Sequence, residues 1–230
     1  GTVPTIGMLG CGNIAGIIAA HGGDYAAISA CHDIDLPRMQ AFGDRTGART
    51  CEGIEALLAC EFQVLVEAAS VEAARDHLLR ALDRGKDVVV LSVGALVEPS
   101  FRDAVRDRAR RCGRRVYVPS GAVFGLDNLK VARVAPLETL VLKTTKHPRA
   151  LGLADDAQRS CLFRGPASEA VRRFPKNINV SAALGLAAGI EPRVELWADP
   201  EASSNRHEIE ASGAFGRVSI RTDNLPSPDN

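Results

Sequence analysis

Short apolar runs alternate along the first half of the chain with segments whose apolar residues recur every three or four positions. Residues 5–9 form an apolar run that stops at Gly10, the pattern of a buried strand. Residues 14–21 pattern as a helix closed by Gly22 and Gly23, and residues 26–31 as a second strand. Residues 52–60 then pattern as a helix and residues 62–68 as a strand. Val71, Ala74, Leu78 and Leu82 share one helical face, and Gly85 ends that helix. A β-branched run at 87–91 predicts a further strand. Pro99 opens a helix with charged outer faces, Gly113 stops it, and residues 115–118 read as the last strand of the series. Strands that are apolar throughout, joined by helices, predict an α/β domain whose parallel sheet is covered on both faces.

After Ser120 and Gly121 the pattern changes. One helix is expected over residues 123–134. Longer runs of alternating apolar and polar residues follow at 137–145, 160–163, 193–198, 207–211 and 217–221. Alternation of this kind predicts antiparallel strands with one exposed face. A helix at about residues 180–188 interrupts them. The chain therefore divides into a parallel α/β domain, residues 1–118, and a smaller α+β domain with a mostly antiparallel sheet, residues 119–230. No internal repeat or low-complexity stretch is present.

Composition narrows the function classes. Hydrophobic residues make up 46% of the 230 positions and charged residues 24%, the balance of a folded globular chain. Lys and Arg total 28, as do Asp and Glu, so the net charge is zero and a basic nucleic-acid binder is disfavoured. No apolar run approaches the roughly 20 residues that span a bilayer, and residues 179–190 are too short and too rich in Ala and Gly. The first residues, Gly1-Thr2-Val3-Pro4, lack the basic and apolar regions of a signal peptide. The six cysteines are scattered with no C-x-x-C pair, which reads as reduced thiols in a cytoplasmic protein without a metal site.

The strongest local signal is Gly10-Cys11-Gly12-Asn13-Ile14-Ala15, a G-x-G-x-x-A motif between a predicted strand and a predicted helix. Gly10 allows the tight turn, and Gly12 lets backbone approach a pyrophosphate. Ala15 permits close helix–strand packing. The helix start at Asn13 and Ile14 offers N–H groups to phosphates. Asp33, at the end of the second strand, suits a ribose 2′-hydroxyl and hence NAD, while His32 beside it is compatible with a 2′-phosphate and NADP. The motif in this context predicts a Rossmann-type domain for NAD or NADP. No phosphate loop with G-K-[ST] and no G-x-S-x-G elbow is present. His207-Glu208 begins like a zinc motif, but its fifth position is Ala211, which excludes that chemistry.

In open α/β sheets, ligands bind beyond the carboxyl ends of the strands. Three such ends carry small residues: Glu67-Ala68-Ala69-Ser70, Ser92-Val93-Gly94-Ala95 and Ser120-Gly121-Ala122. Ala68, Ala69, Ser92 and Ala122 leave room for a nicotinamide ring, although Ser and Gly are also common turn residues. In the second domain Lys176 stands just before a helix and is a candidate carboxylate partner. Asn177 or Asn179 serves equally well as a helix N-cap. His207 starts an alternating strand and has the ring pKa of a natural general acid or base. His21 at a helix end, His77 on a helix and His147 before Pro148 offer less.

Taken together, GCGNIA at Gly10, VEAAS at Val66, LSVGAL at Leu91, PSGAVFGLD at Pro119, FPKNINVSAA at Phe174 and NRHEIEASGAFG at Asn205 resemble the L-aspartate dehydrogenase family over nearly the whole chain. The resemblance implies a Rossmann domain joined to a dimer-forming α+β domain, with NAD or NADP as cofactor, L-aspartate as substrate and a homodimer as the working form. By residue-to-residue carry-over, the family's catalytic histidine falls on His207. Its cofactor contacts fall on Ala122 and Asn179. The family pattern continues past this sequence with an Asn-Pro-Lys-Thr-Ser stretch and a helix. The expected reaction is oxidative deamination of L-aspartate to iminoaspartate, then oxaloacetate and ammonia, with a product that can feed NAD biosynthesis. Lys176 and Lys146 are the candidates for the substrate carboxylates. The alternatives are a reductase of the dihydrodipicolinate reductase or homoserine dehydrogenase type, or a dinucleotide sensor without catalysis.

Overall fold

A computed structural model describes residues 3–121, 123, 125–129, 136–154, 158–174 and 179–225. It divides into two compact units, Gly1–Pro119 and Ser120–Asn230. The first unit runs β1 (Thr5–Leu9), α1 (Asn13–His21), β2 (Ala27–His32), α2 (Leu36–Thr46), β3 (Arg49–Thr50), α3 (Ile54–Leu58), β4 (Val64–Glu67), α4 (Val71–Asp83), β5 (Asp87–Val90), α5 (Pro99–Cys112) and β6 (Val116–Tyr117). Its six strands lie in the order β3-β2-β1-β4-β5-β6, and every pairing is parallel. Chain order therefore reverses between β1 and β4, the point where such sheets open a crevice beyond their strand ends.

Local chemistry sets the helix limits. Ser70 caps α4 by accepting from the N–H of Ala73 at 3.1 Å. Pro99 sits in the first turn of α5, and Gly113 ends that helix in the left-handed region at φ +62°. The sequence pattern does not reveal α2 or β3. Only Met39, Phe42 and Gly43 of α2 are buried, so its apolar stripe is two side chains wide. Its readable marks are the cap Asp35, the early Pro37 and the left-handed Gly47.

The expected double covering of this sheet holds only in part. Ile6, Val64, Val66, Val89 and Val116 line an open apolar groove of about 1220 Å³, with Tyr25 also lining it. A β-branched run reads as a strand in the same way whether or not a helix lies over it.

The second unit contains α6 (Leu126–Leu129), β7 (Leu137–Lys146), β8 (Ser160–Pro166), α7 (Ala167–Arg173), α8 (Asn179–Ala188), β9 (Arg193–Ala198), β10 (Asn205–Gly213) and β11 (Gly216–Asn224). Its sheet order is β11-β10-β7-β9-β8. Three pairings are antiparallel, and the central β7–β9 pairing is parallel. Alternation reveals which face of a strand is buried but not its direction, so that parallel pair is invisible in the pattern. Of the helix expected at 123–134, the described part is α6, which packs against α8. Leu140, Leu142, Val194, Leu196, Ile209 and Ala211 form the buried face of the sheet, and Ala182 and Leu184 of α8 are buried as well.

Candidate functional site

The fingerprint turn is built by its glycines. Gly10 has φ +92°, and a Cβ there would lie 2.6 Å from the carbonyl oxygen of Ala68. Only glycine fits between the ends of β1 and β4. At Gly12 the opposite holds, since a Cβ would meet nothing within 4 Å. Gly12 is the N-cap of α1, with no side chain capping it and no acid in the first turn. Asn13 and Ile14 are exposed there, whereas Ala15 is fully buried against the sheet. A bare, uncapped helix start over open space fits the pyrophosphate of a dinucleotide.

Asp33 stands just past the end of β2 and is only 5% exposed. Its Oδ2 accepts from the Cys11 N–H at 2.7 Å, and its Oδ1 from the Asp35 N–H at 2.8 Å. Arg38 completes the set, donating from Nε to Oδ2 at 3.0 Å and from Nη2 to Oδ1 at 2.8 Å. Burial pushes the Asp33 carboxyl up. The Arg38 guanidinium and the two backbone donors outweigh it and hold the group below the usual carboxylate range. His32 is also buried, and its Nδ1 donates to the carbonyl of Cys51 at 2.7 Å. The exposed cation beside Asp33 is therefore Arg38.

Glu67 ends β4 with no exposed surface. Its Oε1 accepts from the Ala69 N–H at 2.9 Å and the Ser92 hydroxyl at 2.8 Å, while Oε2 accepts from the Ser92 N–H at 2.9 Å. Burial raises its pKa against those same donors. This carboxylate ties the loop after β4, with Ala68 and Ala69, to the loop after β5, with Ser92. Gly10, Gly12, Asn13, Ile14, Asp33, Ala68, Ala69 and Ser92 thus all stand at the carboxyl ends of β1, β2, β4 and β5.

In the second unit His207 on β10 pairs in register with Thr144 of β7 and Thr222 of β11, so the three side chains share one face. His207 is 4% exposed, and its Nδ1 lies 3.0 Å from the Thr144 hydroxyl. The Thr222 hydroxyl is buried and finds no hydrogen-bond partner among the described residues. Lys146 lies two residues beyond Thr144 on the same strand and hence on the same face. Burial, and secondarily Lys146, lowers the His207 pKa to about 4. Burial also lowers that of Lys146. The imidazole is therefore neutral at neutral pH. Asn179 is the exposed first residue of α8. Ala122 and Lys176 lie outside the described residues. Among the described residues no cluster of His, Cys, Asp and Glu is arranged to hold a metal, and no helix is long and apolar enough to cross a membrane.

Arg38, Glu67 and Thr144 are the functional candidates that sequence reasoning missed. Arg38 lies on the undetected α2. Glu67 was visible only as one member of a small-residue segment. Thr144 meets His207 across 63 residues of sequence, through a strand register that no local pattern encodes.

Known proteins resemble both parts of the chain. Residues 10–119 match the NAD-binding domain of homoserine dehydrogenase, and residues 127–230 match the C-terminal domain of aspartate dehydrogenase. The L-aspartate dehydrogenase of Methanospirillum hungatei is 45% identical over 225 residues, covering 98% of this chain and 88% of that protein. That of Methanothermobacter thermautotrophicus is 41% identical over 223 residues, covering 96% of this chain and 86% of its own length. The crystal structure of aspartate dehydrogenase from Thermotoga maritima superposes with a TM-score of 0.79 at 27% identity, covering 96% of this chain and 90% of that one.

Proposed function

The chain belongs to the L-aspartate dehydrogenase family, and from that premise we propose that it oxidises L-aspartate at Cα with NAD or NADP as hydride acceptor. The substrate loses a hydride from Cα and a proton from nitrogen to give iminoaspartate. Water then converts the imine to oxaloacetate and ammonia. The dinucleotide, when bound, supplies the hydride acceptor. The bare turn at Gly10 and Gly12, the start of α1 and Asp33 would hold its pyrophosphate and adenosine ribose. Ala68, Ala69 and Ser92, braced by Glu67, would line its nicotinamide end, with Ala122 and Asn179 as further contacts.

The observation that carries the reading is the neutral His207, buried beside Lys146 and hydrogen-bonded to Thr144. With Nδ1 donating to the Thr144 hydroxyl, the Nε2 lone pair is left to take a proton from the substrate amine or the attacking water. Lys146 and Lys176 would receive the two substrate carboxylates. A carboxylate at Lys146 would offset the repulsion that adds to burial in lowering the His207 pKa, the lesser of the two causes. His207→Ala should lower kcat by roughly 10²–10⁴-fold while leaving dinucleotide affinity intact. An unchanged kcat would remove His207 from the mechanism. The aspartate dehydrogenase match over residues 127–230 favours this activity over a dihydrodipicolinate or homoserine type of reaction and over a non-catalytic sensor.

Family membership also supports a homodimer formed through the second unit, which light scattering on the purified chain tests. Six free thiols support a reducing, cytoplasmic setting. Iminoaspartate is a reactive product, and a role in feeding NAD biosynthesis would show as loss of that supply when the activity is removed.

A further inference from the structure

An ionised carboxylate offers about four lone-pair directions to donors. At Asp33 all four are used. The N–H groups of Cys11 and Asp35 take one on each oxygen, and the Arg38 fork takes the other two. The backbone donors are fixed by the turn after β1 and the start of α2. The Arg38 guanidinium is not so fixed, since it ends a rotamer-rich side chain that is 48% exposed. A ribose diol seeking the oxygens of Asp33 must therefore take the positions that Arg38 holds.

Charge sets the other half of the argument. Asp33 and Asp35 both flank Arg38, with Asp35 Oδ2 at 3.7 Å from its Nη1. Two acids and one guanidinium carry a net charge of −1. A 2′-phosphate adds about two more negative charges and needs a planar, bidentate cation to be tolerated there. His32 is buried and committed to the Cys51 carbonyl, so Arg38 is the cation placed for that task.

We propose that Arg38 is the specificity-determining residue for the adenosine half of the cofactor. It closes on Asp33 in the free protein, yields those oxygens to the ribose hydroxyls of NAD, and turns its fork to the 2′-phosphate of NADP. This rests on the dinucleotide reading of the first unit.

The test is calorimetric titration of wild type, Arg38→Ala and Arg38→Lys with NAD, NADP, 5′-AMP and 2′,5′-ADP. Arg38→Ala should weaken NADP and 2′,5′-ADP by about tenfold or more, the worth of a charge-assisted contact. Affinity for NAD and 5′-AMP should stay level or rise, because a competing donor is gone. Arg38→Lys should retain part of the NADP affinity, as a point charge without the fork. The backbone N–H of residue 38 still bonds the α2 cap in both variants, and a thermal melt confirms their folding. Equal losses for NAD and NADP would show that Arg38 merely props Asp33, and an unchanged NADP affinity would remove it from recognition. Either result overturns the proposal while the dinucleotide reading stands. A wild-type protein that binds none of the four ligands overturns both.

Discussion

The burial of His207 makes the stability of the protein depend on pH in a way that one variant isolates. The folded imidazole titrates at about 4, against an ordinary value of 6.5. Between those values the unfolded chain binds a proton at this site and the folded one does not. Stability therefore rises with pH across the window and is lost as pH falls through it. That depression corresponds to a few kcal/mol, lost by the time the pH has fallen to about 4. Urea unfolding of wild type and His207→Gln at pH 7, 6, 5 and 4 reads this directly. Every other titrating group is common to both proteins, so the wild-type advantage should shrink by a few kcal/mol across the series. Parallel stability curves would refute the buried, neutral histidine. The same group should leave its mark on kcat/KM, with an acid limb well below pH 6.5 for the free enzyme.

Four further outcomes follow from the geometry. Gly10→Ala forces a left-handed residue against the Ala68 carbonyl and should cost roughly 1–2 kcal/mol or more in chemical denaturation. Gly12→Ala meets no protein atom, so it should change stability by under about 1 kcal/mol while weakening dinucleotide binding measured by titration. Glu67→Gln places an amide nitrogen among three donors and should destabilise the first unit by about 1–3 kcal/mol, with a matching rise in amide exchange at Ala69 and Ser92. Thr144→Val should lower kcat by about tenfold through loss of the ring anchor, and Thr144→Ser should restore it.

How much of this was legible in the sequence depends on how local the signal is. The turn from Gly10 to Ala15 has its conformation and its packing written in adjacent residues, and the strand, turn and helix stand there. The alternation over residues 207–211 marks the strand but leaves His207 open to either a solvated or a core place, and β10 puts it with Ile209 and Ala211 on the buried face. What escaped is what depends on partners far along the chain or on a faint stripe. The α2 helix buries too few apolar residues to show a period, and with it went Arg38 and its grip on Asp33. Thr144 reaches His207 only because β7 and β10 pair in one particular register. Glu67 looks like one acid among small residues until folding brings Ser92 to it.

The most direct test of the central claim is production of reduced nicotinamide, followed by its absorbance, with L-aspartate and with NAD or NADP supplied separately. L-Homoserine, L-alanine and L-glutamate serve as controls. The account predicts reduction that depends on L-aspartate and is absent with the other three. Reduction with one of the controls but not with aspartate, or no reduction by a protein that binds dinucleotide normally, would contradict it.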